Sequence, residues 1–356
     1  LLKKVERSKG SAEQLCAAAH LMSFYDPNHA EACKLRGFVE HNGVWVRPNL
    51  AKAIEAARDI LDAAPVGDES PREEDYVKMI QASWHRRVTP RVAVRTVWGE
   101  EAAKRSMRVG NATIDFAAKE LGEDPAKVFS GQLNFTRVKL ATDWNAFVDA
   151  QTMPDDQKEL RKKLTGTSHA LEGRPIAFIN RSPVQSGSDD MWSGTIAINV
   201  LRVSRKNRTS VPLFYLGFCY YSTGRLLGTT STKRYTLNAK KEGTSARHGS
   251  DKPTFGGPSY GPAFFRNLAK WNIAIDNDPS LAVMAGLGLN EFFEDHACKA
   301  FSLFEYLMEE HREKTLKWLK IQAENGKNDL DNLAKELGTD LSSLEIDLKN
   351  WIWKNY

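Results

Sequence analysis

The stretch 190–224 constrains the fold of this chain more than any other. Apolar side chains recur in its first part at a spacing of three to four residues: Trp192, Ile196, Val200 and Val203. A helix would place all four on one face. After a short basic loop, the segment 211–221 is apolar or aromatic at nearly every position, so it must be buried in a core. Its composition suits a helix or a strand, and periodicity leaves this choice open.

Charged residues at both ends of the first segment also favour a helix. Asp189 and Asp190 would lie in its first turn, after a Gly/Ser-rich turn at 186–188, and Arg202 and Arg205 near its last turn. Acids near the amino end and bases near the carboxyl end of a helix are stabilised by its dipole. We therefore predict a helix that begins near residue 190 and ends near residue 205.

The two segments together resemble the catalytic core of the gluzincin metallopeptidases, in particular the peptidase MA-like domains of secreted bacterial proteins. In that family one helix carries H-E-x-x-H. A second helix reads roughly P-x-W-L-x-E-G-L-A-E-Y, and its glutamate completes the zinc site. Here residues 195–203 take the place of the first helix and residues 212–221 that of the second. The resemblance implies that both segments are helices lining one cleft.

The zinc-binding residues of the family are missing from both segments. Ile198, Asn199 and Arg202 stand where the first histidine, the glutamate and the second histidine would be. In the second segment Leu216 and Tyr220 are nearest to the position of the glutamate. Zinc needs three protein ligands drawn from His, Asp, Glu or Cys, which these residues cannot supply. We therefore expect no catalytic residue, no bound metal and no cofactor.

The resemblance extends over about residues 90–353. A predicted strand at 91–98, a helix at 100–121 ended by Gly122, and a strand at 135–140 precede the core in the order found in the family. The helical tail, with its predicted capping box at 342–345, is similar nearly segment for segment. These motifs are packing signatures, so they indicate a fold better than an activity.

We predict an α+β protein built from a small module and a larger domain. Residues 1–64 would form a helical hairpin like one tetratricopeptide unit, a β-hairpin turning at Asn42-Gly43, and a helix. The acidic, proline-containing stretch 65–75 would be a linker. Residues 76–356 would form the gluzincin-like (zincin-like) domain, with a small mixed sheet and a helical C-terminal half. A single helical hairpin cannot bury its own face, so we expect it to dock on a neighbouring element.

The predicted binding site replaces the zinc site. Asn199, Arg202, Tyr220 and Tyr221 are the polar residues expected nearest to the place that zinc would occupy. They would form a pocket for a peptide carboxylate or another anion, with the arginine as a forked donor. In the alternative, Arg202 only hydrogen-bonds carbonyl groups at the end of its own helix.

Basic residues are concentrated at 202–208 and in the long Gly/Ser-rich loop 233–262. They are Arg205, Lys206, Arg208, Lys240, Lys241 and Arg247. With Tyr235 and Phe255 they would allow binding of nucleic acid or an acidic polymer by charge and stacking. However, the net charge is only +5, and long basic loops are more often simply solvated. We do not expect nucleic acid to be the partner.

Other catalytic motifs are missing from the sequence. No two of the eight histidines have the spacing of a helical metal site, and no G-x-S-x-G or phosphate-binding glycine loop occurs. A carboxylate pair for a glycosidase could come from Asp189 with Asp190, or from Glu291 with Glu294 and Asp295. The plainer explanation of both groups is that acids favour the amino ends of helices. Cys16 and Cys33 would either form a disulfide or, like the other two cysteines, be small buried residues.

These observations predict a non-catalytic, metallopeptidase-like protein (a pseudopeptidase) that acts as a scaffold or recognises a protein or peptide. From the resemblance we expect it outside the cytoplasm, periplasmic or secreted. No apolar run approaches the length of a membrane span. Two alternatives are an active metal-dependent peptidase with a non-standard metal site, and a binder of nucleic acid or acidic polymers.

Overall fold

The computed structural model describes residues 11–70, 83–150, 153–163, 169–170, 177–180, 185–205, 211–230, 262–325 and 330–356. These residues are mostly helical and contain two small sheets, so the predicted α+β class is confirmed at this level. The protein contains two compact units, one formed by Leu1–Ala57 with Arg205–Tyr356 and the other by Arg58–Ser204. Among the described residues, no helix has the length and hydropathy that crossing a membrane would require.

The helices and strands are numbered in chain order. The helices are α1 (Ala12–Tyr25), α2 (Ala30–Leu35), α3 (Pro48–Ala63), α4 (Glu100–Leu121), α5 (Ala141–Asp149), α6 (Asp155–Lys163), α7 (Gln185–Ser204), α8 (Pro212–Leu227), α9 (Pro262–Ala274), α10 (Leu281–Ala285), α11 (Glu294–Glu310), α12 (Arg312–Asn325), α13 (Leu330–Leu337) and α14 (Leu341–Asn355). The strands are β1 (Val39–His41), β2 (Val44–Val46), β3 (Asp68–Glu69), β4 (His85–Val88), β5 (Val92–Thr96), β6 (Leu133–Arg137), β7 (His169–Ala170) and β8 (Ala177–Asn180).

The unit Arg58–Ser204 is built on a mixed sheet with the strand order β3-β4-β5-β6-β8-β7. Strands β5, β6 and β8 are parallel, and the strands on either side of them are antiparallel to their neighbours. Every residue of β5 is buried, as expected of an interior parallel strand. The predicted small mixed sheet is therefore present.

Helices α4 and α7 pack together in this unit through a tryptophan. The ring of Trp192 on α7 stacks on Phe135 of β6, with ring centres 4.6 Å apart. Its Nε1 donates a hydrogen bond of 3.0 Å to the carbonyl oxygen of Ser106 on α4. Gly110 makes this approach possible, because a Cβ there would lie 2.8 Å from Nε1 of Trp192.

The predicted start of α7 is wrong, because the helix begins at Gln185 and includes the residues 186–188 that were expected to form a turn. Ser188 is fully buried, so tertiary packing has overcome the low helix propensity of this glycine and serine run. Asp189 and Asp190 consequently lie in the second turn and are each 2% exposed. The helix dipole does not explain them. Asp189 instead forms an ion pair with Arg105 of α4.

In the other unit, the apolar segment after the basic loop is the helix α8. Helix α11 is central to this unit: it packs against α8, α9, α12 and α14 and is buried at every position from Ala297 to Met308. Gly217 of α8 lies against Phe304 of α11, and a Cβ there would meet the phenyl ring at 2.6 Å. The segment therefore packs closely against α11.

The N-terminal helical hairpin docks on the C-terminal helices, which confirms that it does not bury its face alone. Phe24 of α1 stacks on Trp271 of α9, with ring centres 5.5 Å apart, and lies 5.8 Å from Trp353 of α14. The compact unit thus joins 1–57 to 205–356, whereas the predicted division falls at 65–75. Residues 71–75 lie outside the described ranges, and the domain boundaries stay a prediction.

Two local predictions about turns and caps have opposite outcomes. Asn42 and Gly43 have φ values of 52° and 76° between β1 and β2, which confirms the predicted hairpin turn. The predicted capping box at 342–345 is wrong, because Asp340 caps α14 by accepting from the Ser343 amide at 2.8 Å. The carboxylate of Glu345 is used elsewhere, as described below.

Candidate functional site

Two of the four residues predicted to line the cleft lie on α7. Asn199 is half-buried, and its Nδ2 donates a hydrogen bond of 2.8 Å to the carbonyl oxygen of Thr195, within its own helix. Arg202 is exposed, and Ile198 is 6% exposed. This helix therefore presents an arginine to solvent, while the residue in the place of the first histidine is buried.

The other two predicted residues, Tyr220 and Tyr221, lie on α8 in the second compact unit and are 1% and 6% exposed. The Tyr220 ring packs edge-to-face on Phe265 of α9, with ring centres 5.1 Å apart. The Tyr221 ring lies 5.3 Å from the guanidinium carbon of Arg225. Both tyrosines contribute to the core of the helical unit. A cleft shared with Asn199 and Arg202 stays a prediction.

Of the six basic residues named for the predicted loops, one lies within the described chain. Arg205 is 2% exposed, and its guanidinium carbon lies 5.8 Å from the centre of the Trp318 ring. Burial lowers the pKa of Arg205 to about 10. It differs in this respect from the exposed loop residue that was predicted. The other five lie outside the described residues: Lys206, Arg208, Lys240, Lys241 and Arg247.

The helical unit contains a buried charge cluster that the sequence analysis did not find. We call it the Glu305 cluster, and it consists of Arg47, Arg225, Arg266, Glu305, Glu309 and Tyr356. Glu305 of α11 is fully buried and accepts from Nε and Nη2 of Arg266 at 2.9 and 2.6 Å. It also accepts from the Tyr356 hydroxyl at 2.8 Å, and Nη2 of Arg225 lies 3.2 Å away.

The second carboxylate of the Glu305 cluster is shared between two arginines. Glu309 pairs through one oxygen with Arg225 of α8 and through the other with Arg47, just before α3. Burial by itself would raise the pKa of Glu305, but the charges of Arg266 and Arg225 and the hydrogen bonds lower it to about 2. Glu305 is therefore ionised at neutral pH. A general base needs a pKa near the working pH and a free lone pair, so this arrangement joins helices instead of transferring protons.

A second buried charge cluster explains the position of Glu345. Lys299 of α11 is fully buried, and its Nζ pairs with Asp278 and lies 2.9 Å from Oε1 of Glu345 on α14. The other oxygen of Glu345 accepts from the Leu281 amide at 2.8 Å and so caps α10. The ammonium group needs these carboxylates because a buried charge without partners is costly.

In the unit Arg58–Ser204, a buried arginine lies at the carboxyl end of β6, beside a tryptophan that follows β5. Arg137 is 1% exposed, and its guanidinium carbon lies 4.6 Å from the centre of the Trp98 ring. Burial lowers the pKa of Arg137 to about 10, although the negative charge of Asp189 acts in the opposite direction. Ligands of open α/β sheets bind beyond the carboxyl ends of parallel strands, so this edge is a second candidate region.

Within the described ranges, no group of three or more His, Cys, Asp and Glu side chains is arranged to hold a metal ion. Comparisons of the chain with family models, with curated proteins and with solved structures found no match.

Proposed function

We propose that this protein is a non-catalytic, metallopeptidase-like module that recognises a protein or peptide partner. The observation that carries the proposal is the set of residues that α7 presents. In the register of the family resemblance, a buried isoleucine, an amide bonded to its own helix and an exposed arginine take the places of two zinc ligands and a base.

The chemistry of these three side chains supports binding over turnover. An arginine at a ligand position repels a cation. An asparagine amide cannot accept a proton from water as a general base does. An exposed guanidinium, in contrast, is well suited to a carboxylate, which it binds with two parallel hydrogen bonds.

The buried acids of the helical unit support the same conclusion. Glu305 and Glu309 are each paired with arginine, and Asp278 is paired with Lys299. These carboxylates hold helices together and are therefore committed to structure. We also propose, from the family resemblance, that the protein acts outside the cytoplasm.

Metal analysis and peptide cleavage test the absence of catalysis. We expect no stoichiometric zinc in the purified protein, no change in melting temperature on adding a chelator, and no cleavage of casein or of mixed peptides. Copurified stoichiometric metal, together with hydrolysis that a chelator abolishes, would support the active-peptidase alternative and overturn the proposal.

A peptide array tests the recognition step. We expect peptides that carry exposed carboxylates to bind, and Arg202→Gln to weaken the binding about tenfold, which corresponds to the loss of a charge-assisted hydrogen bond. Arg108→Gln is the matched control, because Arg108 is an exposed arginine on α4 of the same unit. Equal affinities of the two variants would exclude Arg202 as the recognition residue.

A further inference from the structure

The hairpin turn between β1 and β2 brings a histidine, an asparagine and a glutamate into a row. Asn42 and Gly43 form the turn, and both are exposed. Nδ2 of Asn42 lies 3.1 Å from Nε2 of His41, which is hydrogen-bond distance. On the other side of the imidazole, Nδ1 of His41 lies 3.8 Å from Oε1 of Glu55 on α3. An amide, an imidazole and a carboxylate therefore follow one another.

The carboxylate of Glu55 orients the protons of the imidazole. A distance of 3.8 Å is too long for a hydrogen bond but short enough for an ion pair, so the negative charge favours a proton on Nδ1 of His41. Nε2 then keeps its lone pair and accepts from Asn42. Only 17% of the His41 side chain is exposed, so its surroundings restrict the ring. The turn explains why Asn42 and Gly43 are present, because both tolerate a positive φ, but it does not explain the imidazole.

We propose that Asn42 is a site of self-catalysed deamidation, in which His41 carries the proton. The backbone nitrogen of Gly43 forms a bond to Cγ of Asn42. His41 takes the proton that this nitrogen loses and gives it to Nδ2. The bond between Cγ and Nδ2 breaks, and Nδ2 leaves as ammonia. Water then opens the resulting succinimide ring at one of its two carbonyl carbons, which gives aspartate or isoaspartate.

One imidazole can serve both nitrogens of the first step. In the tetrahedral intermediate, the Gly43 nitrogen and Nδ2 of Asn42 are bonded to the same carbon. A ring that contacts one of them is therefore close to the other. Imidazole accepts and donates protons readily near neutral pH, so a positioned histidine accelerates a transfer that solvent would otherwise perform.

The turn has the freedom that ring closure requires. Asn42 has a φ of 52°, in the left-handed region, so the chain must rotate before the Gly43 nitrogen reaches Cγ. A Cβ built on Gly43 would meet no atom within 4 Å, which leaves open space for this rotation. In the described part of the chain, β1 and β2 have three residues each and pair only with one another. A two-stranded hairpin is only marginally stable, so its turn opens readily.

The isoaspartate product would change the hairpin. In isoaspartate the main chain runs through the side chain, which adds an atom to the backbone between β1 and β2. A two-residue turn fixes the register in which His41 pairs with Val44. We therefore expect the isoaspartate form to lose this pairing.

Peptide mapping by mass spectrometry measures the reaction in the whole protein at neutral pH. The readout is the fraction of Asn42 converted to aspartate or isoaspartate over time. We expect His41→Gln to slow the conversion about tenfold, less than a positioned general base usually contributes, because this imidazole lies at the surface. Glu40→Gln is the matched control, since Glu40 is an exposed residue of the same strand, and it should keep the wild-type rate.

Two references make the result decisive. Asn325-Gly326, the second Asn-Gly pair of the sequence, has no histidine beside it, so its rate should be equal in all three proteins. A synthetic peptide of residues 38–46 reports the reaction without Glu55. If Asn42 stays intact in the wild-type protein while this peptide is converted, the folded turn protects the amide and the proposal is wrong. Equal rates at Asn42 in His41→Gln and Glu40→Gln would exclude His41 as the proton carrier.

Discussion

Replacing Glu305 by glutamine tests the Glu305 cluster by removing one charge with almost no change in volume. Arg266 would lose its carboxylate partner, while Arg225 would keep Glu309. In the described chain, Arg266 has no second carboxylate to turn to. The substitution therefore leaves a buried guanidinium without a counter-ion, which is the most destabilising way to disrupt a buried ion pair.

Two independent estimates agree on the size of the effect. Lowering the pKa of Glu305 from its ordinary value of 4.5 to about 2 corresponds to about 3 kcal/mol, at 1.36 kcal/mol per pKa unit. Removing one partner of a buried ion pair typically costs about 3–5 kcal/mol. We therefore expect Glu305→Gln to lower the free energy of unfolding by about 3 kcal/mol at pH 7.

Urea denaturation followed by far-ultraviolet circular dichroism measures this loss. The comparison requires that the unfolding free energy falls with urea concentration at the same slope in both proteins. Glu40→Gln is the control, because Glu40 is an exposed carboxylate on β1 of the same unit. Its effect should remain within about 0.5 kcal/mol. A loss below about 1 kcal/mol for Glu305→Gln would refute the view that this carboxylate is a main electrostatic link between the helices.

The same substitution has a pH signature. The pKa of Glu305 is lower in the folded than in the unfolded protein, so its stabilisation is fully present above the unfolded pKa of about 4.3. It is lost as the pH falls from about 5 towards 2, because the unfolded chain then binds the proton more tightly. The difference between the wild-type protein and Glu305→Gln should shrink over this interval. A stability difference that stays constant over this pH range would contradict the lowered pKa of Glu305.

Two further predictions concern packing and thiol reactivity. Gly110→Ala should lower the melting temperature, because the added Cβ would lie 2.8 Å from Nε1 of Trp192. Overpacking costs about 1–3 kcal/mol, which outweighs the gain of about 1 kcal/mol in helix propensity from glycine to alanine. A raised melting temperature would show that α4 and α7 can move apart without loss of stability. With a thiol reagent, Cys16 should react in the folded protein because it is exposed. Three cysteines are buried and should react only after denaturation: Cys33, Cys219 and Cys298.

Local signals predicted much of the secondary structure. Helix α4 has the expected bounds, Glu100–Leu121, and ends at Gly122, whose φ of 69° suits glycine. Helix α13 ends in a similar way, because Gly338, with a φ of 86°, follows its last residue Leu337. These elements were predictable because a periodic apolar face and a terminating glycine act within a few residues of each other.

The charge clusters were not predicted because their members are far apart in the sequence. Arg225, Arg266 and Glu305 lie on three helices, and no spacing rule connects them. One signal was present: Glu305 lies between Phe304 and Tyr306, and Lys299 lies between Cys298 and Ala300, within the stretch 297–308, which is otherwise apolar except for a serine. A charge in such a helix requires a buried partner, although the sequence does not say which residue it is.

The helix start of α7 shows a different limit. The sequence 186–188 is rich in glycine and serine, which disfavour helices in isolation, and the burial of Ser188 favours the helix there. The sequence suggested that Asp189 stabilises the first turn of the helix through the helix dipole. In the structure, Asp189 instead forms an ion pair with Arg105. Tertiary packing decided the role of this residue.

The discontinuous composition of the helical unit has a consequence for synthesis on the ribosome. Arg58–Ser204 is continuous, so it can fold as soon as it has been translated, whereas Leu1–Ala57 belongs with Arg205–Tyr356. The acceptors of Arg36 at Lys354 and Tyr356 are added some three hundred residues later. Helices α1 and α2 must therefore wait with their apolar faces uncovered until the later helices have been made, and they are a segment on which a chaperone would act.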